Sequence, residues 1–333
     1  MGRRDTLRLE SEEAPMRRLE RQGYHFVGTH RHSAVKTCFW LRKSLRGEGN
    51  CYKGKFYGIS AHRCVQMTPS IFCNQRCVHC WRPIEAFNLN QSVKGREADA
   101  VSWDSPAEIV DGCIREQRRL ISGFKGFPGT DPSAFAEANQ PRHAAISLIG
   151  EPTLYPYLEE LIEEFHARGM TTFVVSNGTN PDVIRAIRPT QLYISLNAPE
   201  EGIYKKIAHA NYWANIIQSL EELRKKRAVR TVVRITCIEG LNMVNPEGYA
   251  DLLQLAKPDF IEVKAYMHIG YSRMRLPRAA MPTASRVRDF AIEIAAHLGA
   301  SGYRIVDESE ISRVVLISCR DRSKVAITFT NKV

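Results

Sequence analysis

Three cysteines lie in one short loop, at Cys73, Cys77 and Cys80, with the spacing CxxxCxxC. Thiolates are the protein ligands of iron-sulfur clusters, and gaps of three and two residues let one loop bind three of the four irons of a cubane cluster. The fourth iron then lacks a protein ligand and can bind a substrate, as the open position of a catalytic metal site does. The spacing therefore predicts a 4Fe-4S cluster that takes part in chemistry.

A zinc site is the alternative interpretation of this loop. The three thiolates and His79 would supply the four ligands that structural zinc takes. His79 directly adjoins Cys80, which is an awkward arrangement for two ligands of one tetrahedral ion. The spacing thus favours the cluster over zinc.

A second group of cysteines, Cys38, Cys51 and Cys64, is evenly spaced with twelve residues in each gap. These gaps are too long for one ligand loop, so the three thiols can meet only through folding. The spacing alone is weak evidence for a metal site, and scattered core thiols are the alternative. The remaining three cysteines are expected to be core or strand thiols: Cys113, Cys237 and Cys319.

The chain has 333 residues, 44% of them hydrophobic, which is enough to bury a substantial core in a single large domain. No segment is apolar enough for a signal peptide or a membrane span, so we expect a soluble cytoplasmic protein, in which cysteines are rarely paired. The net charge of +11 and the pI near 9.3 favour a polyanionic partner such as nucleic acid. Solvated basic helix faces are the alternative explanation for that charge.

Short apolar strands alternate with helices along most of the chain, which indicates βαβ units and a parallel sheet covered on both faces. With the strand before the cysteine loop there are six βα units, and we predict an α/β fold, a partial (β/α)6 TIM-like barrel. The predicted strands cover 56–66, 144–148, 171–176, 192–196, 231–238 and 260–264. The predicted helices cover 105–121, 155–168, 181–187, 213–227, 246–256 and 283–298.

The segments outside this array are predicted to extend the barrel. Residues 1–50 have little periodicity, and the Gly/Pro-rich stretch 123–141 is long enough for a functional loop or lid. Apolar residues at 314–317 and 325–328 predict a terminal β-hairpin. We expect three regions: an N-terminal extension over 1–58, the barrel over 59–300 and a C-terminal β extension over 301–333.

The CxxxCxxC loop, directly after the first strand of a βα array, resembles that of the radical S-adenosylmethionine superfamily. The resemblance implies a 4Fe-4S cluster whose open iron binds the amino and carboxylate groups of S-adenosylmethionine. It also implies that reductive cleavage of this cofactor makes a 5'-deoxyadenosyl radical. His79 departs from the pattern, because many members have an aromatic residue before the last cysteine.

Small polar residues follow three successive predicted strands, where a barrel enzyme gathers its site. Residues 147–152, SLIGEP, resemble the glycine-glutamate motif of the superfamily, with Ile149 where a first glycine is common. We expect these strand ends to bind the nucleoside cofactor, and a turn or helix cap is the alternative for each position taken alone. The expected contacts are Glu151, Ser176, Asn177, Thr179, Ser195 and Asn197.

Four longer segments carry a more specific resemblance. They are GKFYGISAHRCVQMTP at 54–69, CWRP at 80–83, SLIGEPT at 147–153 and EVKAYMHIGYSR at 262–273. These segments resemble the 4-demethylwyosine synthases, radical enzymes of tRNA wybutosine synthesis, in their archaeal form. The match covers nearly the whole chain.

This resemblance implies a reaction and its partners. The family condenses pyruvate with N1-methylguanosine beside the anticodon of phenylalanine tRNA to form 4-demethylwyosine. The resemblance implies a second 4Fe-4S cluster on Cys38, Cys51 and Cys64, to which the 1–58 extension contributes ligands. Because the sequence carries no flavodoxin-like domain, an external electron donor is expected, and we expect a monomer. The alternatives are another radical enzyme that uses the second cluster as an electron relay, and a zinc-dependent RNA-binding protein.

Lys53 matches the family lysine that forms a Schiff base with pyruvate. Imine formation needs a neutral amine, and desolvation together with a neighbouring metal centre can lower a lysine pKa. An ordinary exposed lysine is the alternative for Lys53, and Lys55 is a second candidate nucleophile.

An anticodon base must leave its loop to reach a buried radical, and basic side chains must then hold the phosphates. The run 266–278 mixes aromatic and basic residues, as nucleic-acid-binding loops do. A barrel-closing segment with solvated charges is the alternative for this run. The candidate phosphate contacts are Arg76, Arg82, Lys264, Arg273, Arg275 and Arg278.

Overall fold

A computed structural model of the chain describes residues 13–83, 102–226 and 228–327. Its ten strands form one sheet with the spatial order β1-β2-β3-β4-β5-β6-β7-β8-β10-β9. In chain order these strands are β1 (His25–Val27), β2 (Ser33–Val35), β3 (Cys64–Thr68), β4 (His143–Ile146), β5 (Thr171–Ser176), β6 (Gln191–Ser195), β7 (Arg230–Cys237), β8 (Phe260–Ala265), β9 (Arg304–Ser309) and β10 (Val314–Ser318).

The six central strands, β3 to β8, are parallel and follow one another in space as they do along the chain. This arrangement confirms the predicted (β/α)6 order. The helices of the described ranges are α1 (Glu13–Arg21), α2 (Phe39–Leu45), α3 (Tyr52–Tyr57), α4 (Pro106–Ile121), α5 (Pro132–Ala138), α6 (Leu158–Ala167), α7 (Pro181–Ala186), α8 (Glu201–Ala208), α9 (Trp213–Arg224), α10 (Pro246–Ala256) and α11 (Ala284–Leu298).

Local sequence explains where several of these helices begin. Ser105 caps α4 by accepting a hydrogen bond from the Glu108 backbone N–H, and Pro106 occupies the first turn, where its missing N–H costs nothing. Thr283 caps α11 in the same way. The buried residues of α4 recur at helical spacing and include Cys113, which lies in the core as predicted.

The two faces of the parallel strands pack against different partners, because side chains alternate along a strand. On β5, Val174 packs into the cluster that contains the outer helices, whereas Phe173 packs with α3 on the opposite face. Tyr193 of β6 also belongs to this second cluster. The short helix α3 therefore fills the inner side of the parallel sheet.

The N-terminal prediction was wrong in two respects. Within 13–50, where irregular structure was expected, β1 and β2 form an antiparallel hairpin that pairs with the edge of β3. The predicted strand 56–66 begins only at Cys64, because residues before it form α3 and a short 3-10 turn. Gly58, with φ of 75°, ends α3 in the left-handed conformation that glycine adopts without strain.

Three other segment predictions need correction. Within 123–141, Asp131 caps the helix α5, so this stretch is not simply a loop. The helix α8 between β6 and α9 was not predicted. The terminal hairpin pairs β10 with β9 rather than with 325–328, and Val325 follows a 3-10 turn. Thr328 and Arg227, which ended two predicted elements, lie outside the described residues.

In the described part of the chain, no helix has both the length and the apolar character that crossing a membrane requires.

Candidate active site

A cavity of about 710 Å³ opens at the carboxyl ends of the parallel strands. The cysteine loop after β3 forms one wall, through Cys73, Cys77 and Cys80. The residues after β4, β5 and β6 form another. Five of the six predicted cofactor contacts line the cavity, namely Glu151, Ser176, Asn177, Ser195 and Asn197.

The cysteine loop places Cys73 and Cys77 in surroundings that disfavour thiolates unless a positive charge compensates. Burial, and then the Glu151 carboxylate, raises the pKa of Cys73 to about 12. Burial also raises the pKa of Cys77, with further contributions from Cys73 and Cys80. Asn177 Nδ2 lies 3.9 Å from Cys73 Sγ as a hydrogen-bond donor. Bound metal would supply the missing positive charge, so three neighbouring half-buried thiols fit the cluster that the spacing predicts.

Glu151 organises the strand ends from a buried position. Its Oε1 accepts hydrogen bonds from the Ser176 hydroxyl at 2.7 Å and from the Thr153 hydroxyl at 2.8 Å. Its Oε2 accepts one from the Asn177 backbone N–H at 2.7 Å. This carboxylate thus ties the turn after β4 to the end of β5, a positioning role that the sequence prediction missed.

Thr179 is the predicted cofactor contact that does not line the cavity. Its hydroxyl donates to Asn177 Oδ1 at 2.8 Å and accepts from Asn74 Nδ2 at 2.8 Å. Asn177 Nδ2 also donates to Asn74 Oδ1 at 2.9 Å. Thr179 therefore joins the β5 end to the cysteine loop rather than forming the cavity wall.

The second group of cysteines lies on three different elements. Cys38 and Cys51 are the N-cap residues of α2 and α3, and Cys64 is the first residue of β3. Burial, and then the nearby Cys38, raises the pKa of Cys51 to about 11 and that of Cys64 to about 12. None of the three thiols lines the cavity.

Within the described ranges, no three side chains of His, Cys, Asp or Glu are close enough to hold a single metal ion. A cluster spreads its thiolates over several irons and does not need them to meet at one point. His79 lines the cavity, and its buried Nδ1 has no hydrogen-bond partner among the residues that the structure describes. Burial, and then Arg275, lowers the pKa of His79 to about 4, which keeps the imidazole neutral.

Lys53 is buried on α3, with its side chain on the inner side of the sheet. Its Nζ lies 4.9 Å from the ring centroid of Phe173 and 4.6 Å from that of Tyr193. Two residues further along the same strands, Val175 and Ser195 line the cavity. Two residues of strand span about 6.6 Å, so the Lys53 amine lies roughly one layer of side chains below the cavity.

The two candidate lysines lie in different environments. Burial, and then the positive charge of Arg234, lowers the pKa of Lys53. The Lys55 side chain is 52% exposed, and its Nζ lies 2.9 Å from Asp307 Oδ1 and donates to the Glu308 carbonyl. Lys53 is therefore enclosed beside the cavity, whereas Lys55 is a solvated, ion-paired surface lysine.

A buried polar network holds α3 in place. Glu262 on β8 accepts hydrogen bonds from Tyr52 at 3.0 Å, Tyr57 at 2.8 Å and Arg234 Nε at 2.9 Å. Burial alone would raise the pKa of Glu262, but Arg234 and then Lys53 lower it below its ordinary value. The sequence contained a signal for this pair, because Arg234 and Glu262 each interrupt a run of apolar residues, and the two positions are paired in the sheet.

The six candidate phosphate contacts separate into two groups. Arg76, Arg273 and Arg278 are exposed. Lys264 donates from Nζ to the Ser312 carbonyl at 2.8 Å. Arg275 donates to the carbonyls of Val78 and Cys80, so it supports the cysteine loop from within the protein. Arg82 is buried beside the cavity.

Comparison with known proteins agrees with this geometry. The family model described as "Radical SAM superfamily" matches residues 67–253, and the one described as "Wyosine base formation" matches 255–319. The parallel sheet, the CxxxCxxC loop and the cavity at the strand ends are those of a radical S-adenosylmethionine enzyme, and the chain belongs to that superfamily. This membership implies S-adenosylmethionine and a 4Fe-4S cluster as cofactors.

Relatives define the family within that superfamily. The S-adenosyl-L-methionine-dependent tRNA 4-demethylwyosine synthase of Pyrococcus abyssi is 48% identical over 89% of this chain and 86% of its own length. The enzyme of the same name from Methanocaldococcus jannaschii is 41% identical over 91% of this chain and 95% of its own length. The chain belongs to the family of tRNA 4-demethylwyosine synthases, radical enzymes that form the wyosine base of tRNA.

A solved structure of TYW1 with a bound lysine-pyruvate adduct has the same fold. It is 38% identical to this chain, with a TM-score of 0.79, and the match covers 97% of this chain and 99% of the solved one.

Replacing Glu262 by Gln tests the network that holds α3. The change leaves Arg234 buried without its carboxylate partner, and removing one member of a buried ion pair costs about 3 kcal/mol or more. We expect a loss of that order in the free energy of unfolding, measured by chemical denaturation.

Glu201→Gln is the matched control for this measurement. Glu201 pairs with Lys205 at 2.8 Å on an exposed helix face, with both side chains about half exposed. Such pairs contribute less than about 0.5 kcal/mol. Equal losses in the two variants would contradict the role assigned to Glu262.

Proposed function

We propose that this protein forms 4-demethylwyosine from pyruvate and N1-methylguanosine beside the anticodon of phenylalanine tRNA, using two 4Fe-4S clusters. One observation carries the proposal. The Lys53 amine lies in the interior of the sheet, about one layer of side chains below the cavity that the cysteine loop lines. A substrate joined to that amine would be close to a group held at the strand ends.

The residues of the cysteine loop and the strand ends would bind the first cluster and S-adenosylmethionine. Cys73, Cys77 and Cys80 would hold the cluster, which together with the bound cofactor supplies radical chemistry. Ser176 and Asn177, positioned by Glu151, offer a hydroxyl and an amide to the cofactor. Ser195 and Asn197 extend this polar wall along β6. The volume of the cavity is typical of a site that encloses a small ligand.

Cys38, Cys51 and Cys64 would hold the second cluster, with two of the ligands on the 1–58 extension and one at the start of the 59–300 barrel. Lys53 is two residues from Cys51, and both belong to the same turn of α3. The shared turn of α3 would therefore keep the pyruvate-binding amine of Lys53 close to a ligand of the second cluster. We also propose an external electron donor, a monomeric state and a C-terminal β extension over 301–333.

Lys53 would bind pyruvate as an imine. Its amine attacks the ketone carbonyl, a carbon-nitrogen bond forms, and the carbonyl oxygen leaves as water. The lysine-pyruvate adduct in the similar TYW1 structure supports this assignment. The enclosed position of Lys53 also supports it, because the surface position of Lys55 does not bring an adduct to the cavity.

Replacing Lys53 by Ala tests the lysine assignment. Because the amine is absent, we expect product formation to fall at least 100-fold, while reductive cleavage of S-adenosylmethionine continues. Borohydride reduction in the presence of pyruvate should attach a pyruvate-derived mass to the peptide that contains Lys53 in the unaltered protein only. Both readouts are measured by mass spectrometry.

Lys55→Ala is the matched control, one helical step away and at the surface. It should keep product formation within about twofold and keep the borohydride adduct. Full activity of the Lys53→Ala variant would reject the assignment. Loss of the borohydride adduct in the Lys55→Ala variant would reject it as well.

Iron content tests the number of clusters. After anaerobic reconstitution we expect about eight irons per chain, and about four when Cys38, Cys51 and Cys64 are all replaced by Ala. Replacing the exposed Cys319 by Ala is the control and should leave the iron content unchanged. Four irons in the unaltered protein would exclude the second cluster. Bound zinc without iron would exclude the proposed iron-sulfur chemistry altogether.

A further inference from the structure

Arg82 is a buried cation, and two of its guanidinium nitrogens lack hydrogen-bond partners among the described residues. Only 5% of it is exposed, and it lines the cavity two residues after Cys80. Its Nε and Nη1 are buried and have no hydrogen-bond partner among the described residues. Buried donors of a charged group are costly to leave unpaired, so this guanidinium is suited to a ligand that supplies oxygen acceptors.

The surroundings of Arg82 are positively charged and aromatic. Its Cζ lies 5.8 Å from the ring centroid of Tyr24, and the Lys36 amine lies 4.7 Å from the same ring. In the part of the chain that the structure describes, no carboxylate pairs with Arg82. Two cations around one aromatic ring favour an anionic ligand next to Arg82.

Trp81 adds a stacking surface beside this cation. The Arg82 Cζ lies 3.7 Å from the Trp81 ring centroid, which is a close cation-π contact. Trp81 is nevertheless 37% exposed and lines the same cavity. An exposed indole next to a guanidinium combines the two groups that proteins use to hold unpaired nucleotides, an aromatic face for the base and a charge for the phosphate.

Trp81 and Arg82 come from a different part of the chain than the strand-end residues assigned to S-adenosylmethionine. Ser195 and Asn197 bring a hydroxyl and an amide from β6, whereas Arg82 and Trp81 bring charge and an aromatic ring from the segment after the cysteine loop. Gly270 and Tyr271 contact the backbone of Trp81, which joins Trp81 to the run 266–278. In this run, Arg273 and Arg278 are exposed.

We propose that Trp81 and Arg82 form the nucleotide subsite of the cavity. The Arg82 guanidinium binds a phosphodiester oxyanion next to the reacting base of the RNA, and the Trp81 indole stacks on a base of the same loop. This inference rests on the proposed function, since it names where the RNA substrate is held. The same guanidinium chemistry would also bind a carboxylate, from S-adenosylmethionine or pyruvate, and the experiment below separates these sources.

The experiment uses the reconstituted protein and an anticodon stem-loop RNA that contains N1-methylguanosine. Affinity is measured by fluorescence anisotropy at several salt concentrations for Arg82→Gln, Arg82→Lys and Trp81→Ala. Losing one phosphate contact should weaken binding about tenfold in Arg82→Gln and lower the slope of log K against log salt by about one. Arg82→Lys keeps the charge and should retain most of the slope.

Trp81→Ala should weaken RNA binding about tenfold as well, through lost stacking, without changing the salt slope. In all three variants the dissociation constant of S-adenosylmethionine, its cleavage without RNA and the KM of pyruvate should stay within twofold of the unaltered protein. These three quantities also verify that each variant folds and binds its cofactors. Arg115→Gln, at an exposed arginine on α4, is the control and should change neither affinity nor slope.

Two results would overturn the inference while leaving the proposed function intact. RNA affinity and salt slope that remain unchanged in Arg82→Gln would exclude a phosphate contact. A change confined to S-adenosylmethionine binding or to the KM of pyruvate would assign Arg82 to a carboxylate instead. Failure of the unaltered protein to bind this RNA would reject the proposed function and the subsite together.

Discussion

The buried Glu262 carboxylate is the interaction on which the arrangement of the site depends. It accepts hydrogen bonds from Tyr52 and Tyr57 at the two ends of α3 and from Arg234 on the neighbouring strand. A buried carboxylate is stable only when it is paired in this way. Because α3 also carries Cys51 as its N-cap and Lys53 in its first turn, this network places both residues on the inner side of the sheet.

The parallel sheet then relates the two halves of the site. Inner-face residues of β5 and β6 contact Lys53 at one level and line the cavity at the next, so strand geometry sets the separation. At the strand ends Glu151 joins the turn after β4 to β5, and Asn74, Asn177 and Thr179 join β5 to the cysteine loop. The fold thus places the Lys53 amine below the cavity whose wall contains Cys73, Cys77 and Cys80.

The periodicity of apolar residues predicted the regular strands and helices of the parallel sheet well. The strands β5 and β7 and the helix α10 appeared at or near their predicted bounds, since apolar periodicity decides them. The last two residues of α3, Phe56 and Tyr57, were assigned to the predicted strand 56–66. The partner that holds this segment as a buried helix, Glu262, is about 200 residues away, so local sequence does not reveal it. The role of Cys38, Cys51 and Cys64 was also beyond local sequence, because their spacing alone is weak evidence for a metal site and only a family resemblance groups them.

Arg275 was expected to bind phosphate, but it donates hydrogen bonds to backbone carbonyls of the cysteine loop.

The central claim is that carbon from pyruvate, held beneath the cavity, becomes part of the modified base. The direct measurement incubates the reconstituted protein with a reductant, S-adenosylmethionine, tRNA carrying N1-methylguanosine and uniformly ¹³C-labelled pyruvate, followed by mass spectrometry of the nucleosides. The account predicts that N1-methylguanosine is converted to a tricyclic nucleoside that contains the label. S-adenosylmethionine cleavage with N1-methylguanosine left intact, or a tricyclic product without label, would contradict it.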